Sequence, residues 1–133
     1  MFPMESKRNY RSISKYRNKQ IIVNGERFQS LKELRRFNQL LKLQDEGKIS
    51  GLQRQVKYVL IPAQREPETI TPRGHIKPGK VIERECVYWA DFQYYENDLL
   101  VVEDVKSPIT RTEVYKVKRK LMLYIHGIRI REV

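Results

Sequence analysis

The sequence predicts an α/β or α+β fold in which helices pack on a mixed central sheet. Three observations predict it. Residues 52–61 alternate Val56, Tyr58 and Leu60 against Gln55, Lys57 and Val59, the period of a strand with one covered face. Residues 88–107, YWADFQYYENDLLVVEDVKS, read as a β-hairpin. Residues 30–46 and 112–126 carry apolar side chains at helical spacing. The order is then hairpin, helix, strand, long loop, strand, strand, helix, strand. A chain of 133 residues is long enough for one core and too short for two.

Residues 1–19 read as a basic flexible arm. Lys7, Arg8, Arg11, Lys15, Arg17 and Lys19 stand against Glu5, with Tyr10 and Tyr16 between them. Either the arm contacts phosphates or it is a solvated tail. Residues 20–133 form the domain. It opens with a short hairpin, Ile21-Ile22-Val23 and Glu26-Arg27-Phe28 around Asn24-Gly25, the strongest short turn signal. A helix follows from Ser30 to about Glu46 and is closed by Gly47. Leu31, Leu34, Phe37 and Leu41 make its apolar stripe, and Ser30-Leu31-Lys32-Glu33 matches a capping box. Arg35, Arg36 and Lys42 fall on its solvated or phosphate-facing side.

Residues 62–80 hold Pro62, Pro67, Pro72, Gly74, Pro78 and Gly79, so neither a helix nor a central strand persists there. Arg65, Arg73, His75, Lys77 and Lys80 make this long loop basic. A loop of that length in a compact domain is commonly functional or disordered, and a substrate-facing flap is the expectation. His75 alone is no metal site, and His126 is expected to cap the last helix.

The hairpin at 88–107 carries the chemistry. Asn97 and Asp98 tolerate positive φ and suit a two-residue turn. That turn puts Glu96 opposite Leu99, Tyr95 opposite Leu100 and Asp91 opposite Asp104. Opposed Cβ atoms lie roughly 4.5–5.5 Å apart. Lys106, two residues past Asp104, falls on the same face, and Glu103 on the other. Two carboxylates that close call for a cation or a raised pKa. Magnesium, which takes one or two protein carboxylates and leaves room for a phosphate, fits that demand.

The last helix starts at Thr110 or Thr112 and runs to His126, with Val114, Val117, Leu121 and Ile125 as the expected buried stripe. Lys116, Arg119 and Lys120 fan over the other side as a phosphate-tracking face. Lys118 lies about 40° from the stripe centre. It either leans toward the site as an auxiliary cation or snorkels to water. Gly127 ends the helix, and 128–133 is a closing strand.

Lys and Arg number 27 against 16 Asp and Glu, a net charge of +11 with a pI near 9.9. That balance favours a polyanionic partner, most often nucleic acid. The single Cys86 cannot pair within the chain, which fits a reducing cytoplasm. No apolar run is long enough to span a membrane, and residues 1–20 lack the apolar centre of a signal peptide. No glycine-rich phosphate loop, zinc spacing or Ser/His/Asp arrangement is visible.

Asp91, followed on the next strand by Asp104-Val105-Lys106, resembles the PD-(D/E)XK nuclease superfamily. FQSLKE at 28–33, LQRQVKYVLIP, YWADF, VVEDVKS and TEVYKVKRKL resemble, in order, a small phage-associated, Holliday junction resolvase-like branch of it. Ala90 stands where the superfamily usually has proline, and Ser107 where a glycine often follows the lysine. The resemblance implies a restriction-endonuclease-like core and a Mg²⁺- or Mn²⁺-dependent endonuclease acting on branched or structured DNA. It implies that Asp91, Asp104, Glu33 and the Val105 carbonyl hold the metal while Lys106 assists the attacking water. Gln55 is implied to sit near the site. Glu33 and Gln55 keep structural readings beside these: Glu33 bonds back to the Ser30 amide, and Gln55 is a half-exposed strand residue. A homodimer and the host cytoplasm are further implications. An alternative reading is a non-catalytic DNA-binding module of phage replication or recombination. A third is an RNA-directed nuclease.

Overall fold

The computed structural model describes residues 20–133. The basic arm expected at 1–19, with Lys7, Arg8, Arg11, Lys15 and Arg17, lies outside the described residues. Contacts along the chain divide it into two compact units, one ending at Gln39 and one spanning Leu40–Val133. The described residues form an α+β arrangement with a mixed central sheet and two helices. Neither helix is long and apolar enough to cross a membrane.

In the first unit, β1 (Ile21–Val23) pairs antiparallel with β2 (Glu26–Phe28), from Ile21 opposite Phe28 to Val23 opposite Glu26. Asn24 and Gly25 both take positive φ, 51° and 79°, as a tight hairpin turn demands. α1 (Leu31–Asp45) starts in this unit and ends in the second. The Glu33 amide donates to Ser30 Oγ at 3.1 Å, one half of a capping box. The returning bond differs from expectation: the Glu33 carboxylate accepts from the Gln29 amide at 2.9 Å, one residue earlier than Ser30. The expected apolar stripe is also displaced. Leu31 and Leu41 are 48% and 37% exposed, whereas Glu33 and Leu40 are buried. The covered face is thus rotated toward a carboxylate that counting apolar residues would leave in solvent.

In the second unit, β3 (Ser50–Ile61) leads into four short strands. These are β4 (Gln64–Arg65), β5 (Thr69–Ile70), β6 (Ile76–Lys77) and β7 (Val81–Glu83). β8 (Cys86–Glu96), β9 (Leu99–Asp104), α2 (Glu113–His126) and β10 (Arg131–Glu132) complete the chain. The main sheet has the order β10-β9-β8-β3. β8 runs antiparallel to both β3 and β9, and β10 runs parallel to β9. Asn97 and Asp98 take φ of 51° and 62°, and β8 meets β9 in the expected register, from Glu96 opposite Leu99 to Phe92 opposite Glu103.

The loop expected at 62–80 is instead an ordered ribbon. β5 pairs β6 with Ile70 opposite Ile76, and β4 pairs β7 with Gln64 opposite Glu83. Strands of two residues show no periodicity, so the prolines dominate the sequence signal. Between the two ladders the chain crosses itself closely. The Glu66 amide donates to the Lys80 carbonyl at 2.9 Å, and a Cβ on Gly79 would lie 1.8 Å from the Glu66 carbonyl oxygen. Only a residue without Cβ fits.

α2 is also rotated from its expected placement. Thr112 accepts from the Tyr115 amide at 3.1 Å and caps the start; Gly127, at φ 67°, ends the helix. Tyr115 and Met122 are buried, joined by Leu60, Tyr88, Ala90, Val102 and Ile130 in one core cluster. Three of the four expected stripe residues face outward, with Val114 65% exposed, Val117 55% and Ile125 43%, and only Leu121 packs partly buried against the cluster. A tyrosine counts little in an apolar pattern, yet Tyr115 offers more area to bury than Val114 and has a partner for its hydroxyl in Glu132 at 2.7 Å. His126 does not cap the helix; its Nε2 lies 2.8 Å from the Val59 carbonyl and its ring packs edge-on to Tyr58.

Gly79→Ala should open the ribbon and leave the sheet intact. Hydrogen exchange should quicken at the Glu66 amide with little change at β8 and β9; unchanged exchange at Glu66 would show that the crossing tolerates a side chain.

Candidate active site

Asp91 and Asp104 come together at the end of the β8–β9 ladder. The register puts them one step beyond the Phe92–Glu103 pair, and their carboxyl groups are within hydrogen-bonding reach. Lys106 Nζ lies 3.3 Å from Asp104 Oδ1 and 4.0 Å above the centre of the Tyr115 ring. The ring face holds the ammonium beside the carboxylate. The backbone here is fixed from one side. The Val133 amide donates to the Asp104 carbonyl and the Lys106 amide to the Val133 carbonyl, both at 3.0 Å. Between these two anchors, the Val105 amide donates to Asp91 Oδ2 at 2.8 Å. Glu103 points elsewhere, as expected, and accepts from the Tyr94 hydroxyl.

Gln55 joins from the other neighbouring strand. Arg54 is opposite Phe92 and Val56 opposite Ala90, so Gln55 stands level with Asp91. Its φ is 51°, an uncommon left-handed conformation within a strand. Its Nε2 donates to Asp91 Oδ1 at 3.3 Å. Alternation along β8 also slips at this level. Ala90 lies in the core cluster with Val102, whereas Phe92, two residues on, sits opposite Glu103, which neighbours Val102 and faces the other way. Strict alternation would put Ala90 and Phe92 on one face. Asp91 therefore occupies the step at which the strand changes phase.

The electrostatics follow from crowding. Burial, then the hydrogen bond to Asp104 and its charge, push the Asp91 pKa up from 3.8 to about 7; the Val105 amide and Gln55 pull against that rise. Tyr88 donates to Asp104 Oδ2 at 2.5 Å, and burial followed by the Asp104 charge raises its own pKa, keeping it a donor. Burial, then the bond to Glu132, raises Tyr115 likewise.

Glu33 belongs to the first unit, where its carboxylate serves the start of α1; its membership of a metal shell rests on the resemblance alone. Lys118 is half-buried and forms no hydrogen bond or ion pair with either aspartate. Arg119 departs from the outward phosphate-tracking face. It turns inward to Glu132 Oε2 at 3.0 Å, and Arg111 holds the other oxygen at 2.7 Å. Lys116 pairs with Glu113 at 3.1 Å. Lys120, Arg73 and Lys77 are exposed. Tyr88, Tyr115 and Glu132 escape the sequence reading. The available signal was Tyr115, Arg119 and Met122 at helical spacing, a polar-tipped stripe beside the purely apolar one.

The donor set suits a hard divalent cation: two crowded carboxylates, one with its ionisation suppressed, beside a backbone segment held at both ends. No group of three His, Cys, Asp or Glu side chains gathers among the described residues. A two-carboxylate centre completed by carbonyl and water oxygens is within magnesium's ordinary range.

A family model described as a protein of unknown function, DUF1064, matches residues 13–131. The chain belongs to that family. No curated protein gives a significant match, and no solved structure does. The DUF1064 match takes in every residue of the Asp91–Asp104–Lys106 group, Gln55 and Tyr88.

Asp91 holds its proton more tightly folded than unfolded. That proton stabilises the fold below about pH 4, and its contribution is lost as pH rises through about 7. Without metal, this contribution to the melting temperature should decline between about pH 4 and about pH 7, and Asp91→Asn should flatten the decline; parallel profiles would contradict this. Gln55→Gly should relieve the left-handed backbone while removing a bond that holds the Asp91 pKa down. The Asp91 carboxyl, followed by ¹³C NMR, should then titrate at higher pH than in the wild type; an unshifted midpoint would remove Gln55 from the site.

Proposed function

We propose that this chain is a metal-dependent endonuclease of restriction-endonuclease-like fold that hydrolyses DNA phosphodiesters, acts in the cytoplasm, and prefers branched or otherwise structured DNA. One observation carries the reading: Asp91 and Asp104 converge with Lys106, and burial beside Asp104 opposes the ionisation of Asp91. The sequence resemblance and the net charge of +11 support it.

The chain's own groups have separable tasks. Asp91 and Asp104, with the Val105 carbonyl, would hold Mg²⁺ or Mn²⁺. When bound, that ion supplies Lewis-acid polarisation of the scissile phosphoryl group. Lys106 offers an ammonium, its stem held by Tyr115, to orient the attacking water and balance the negative charge that develops on phosphorus oxygens. Tyr88 fixes the Asp104 carboxylate by occupying one oxygen. Gln55 and the Val105 amide do the same for Asp91.

The test is incubation with Mg²⁺ or Mn²⁺ and a four-way junction, a flap or a plain duplex. The wild type should cut, fastest on a branched substrate. Asp104→Asn and Lys106→Ala should each lower the rate by about 10²-fold or more while DNA affinity survives. Wild-type protein that binds every DNA and cuts none would overturn hydrolysis in favour of a binding module. Cleavage of the RNA version alone would make the substrate RNA.

A further inference from the structure

We propose that the β4–β7 ribbon is a DNA-probing arm. Its basic tip would contact phosphates, and the Ile70–Ile76 pair would pack on base faces exposed where the double helix is unstacked. The inference rests on the nucleic-acid reading above and does not require hydrolysis.

Four observations carry it. The ribbon is continuous with the strands of the site: β3 runs into β4 across Pro62 and Ala63, and β7 into β8 across Arg84 and Glu85. Cys86, where β8 begins, is five residues from Asp91, about 17 Å at strand rise. The ribbon's charge is polarised. Its base mixes signs, with Arg65, Lys80 and Arg84 among Glu66, Glu68, Glu83 and Glu85, while between Thr69 and Lys77 the charged residues are Arg73 and Lys77. The tip is apolar where it should be wet: Ile70 and Ile76 are 77% and 68% exposed. They are directly opposed across the β5–β6 ladder, so they share one face as a plate of two side chains.

The chemistry selects the partner. Cations with no carboxylate among them match a polyanion. Groove edges of a regular duplex present donors and acceptors that isoleucine cannot satisfy, and burying those groups unpaired is costly. The flat face of a base pair is apolar, and apolar wedges are known to occupy it where stacking is broken. A continuous duplex hides that face; a branch point or a distorted step offers it. The ribbon thus adds a preference for interrupted stacking to charge-driven affinity.

The experiment uses the full chain in EDTA, with a four-way junction carrying 2-aminopurine at the branch and a duplex carrying it centrally. Ile70→Ser/Ile76→Ser should reduce the junction-over-duplex preference about tenfold and abolish the fluorescence change at the branch. Ile70→Leu/Ile76→Leu should retain both. Arg73→Ala/Lys77→Ala should weaken both DNAs alike and lower the salt slope by about 2. All variants should melt like the wild type.

Wild-type protein that binds, with all three variants indistinguishable from it, would sink the arm and leave the nuclease reading intact. Wild-type protein that binds no DNA would sink both. The expected variant effects without any cleavage under Mg²⁺ would uphold the arm and sink hydrolysis alone. Serine variants that change sedimentation from dimer to monomer, with DNA binding unaffected, would overturn the inference by making the isoleucines a contact between copies.

Discussion

Much of the second unit depends on one constraint: two carboxyl groups are buried and held together, which raises the Asp91 pKa. Asp91 and Asp104 have no freedom to separate. The β8–β9 register brings them one step past the Phe92–Glu103 pair, the Val105 amide holds one, and the Tyr88 hydroxyl holds the other. β10 then locks the backbone on both sides of Val105 through a pair of bonds to Val133. Each neighbouring element therefore helps keep Asp91 buried beside Asp104, a crowding that an unconstrained chain would relax by moving a side chain. The proposed metal site rests on that crowding.

The hairpin was legible in the sequence because its turn was. Asn97-Asp98 admits positive φ at two successive residues, and once the turn is placed every opposed pair follows. Glu103 and Asp104 were separable for the same reason, since adjacent strand residues face opposite ways. The helix starts at Ser30 and Thr112 were also readable, because a hydroxyl that accepts from an amide three residues on is a local bond.

The helix faces were not legible. Val114, Val117 and Ile125 look like a core stripe, and Tyr115 does not. The outcome depends on Glu132, seventeen residues further on, where Tyr115 and Arg119 find a shared acceptor. Long-range polar partners are invisible to periodicity. The ribbon was hidden differently: its order comes from an amide–carbonyl bond and the absence of one Cβ at Gly79, and neither leaves a hydrophobic pattern. The slip in alternation at Asp91 required both neighbouring strands to be seen at once.

The close crossing at Gly79 has a geometric consequence. As the proposed DNA-probing arm, a ribbon pinned where its strands meet would serve as a ruler, with the Asp91 end as its zero. Lengthening each limb by one residue would displace whatever the far end touches by about 3.3 Å and turn the isoleucines to the opposite side. Spacing along a bound molecule would be measured by the number of residues in that ribbon.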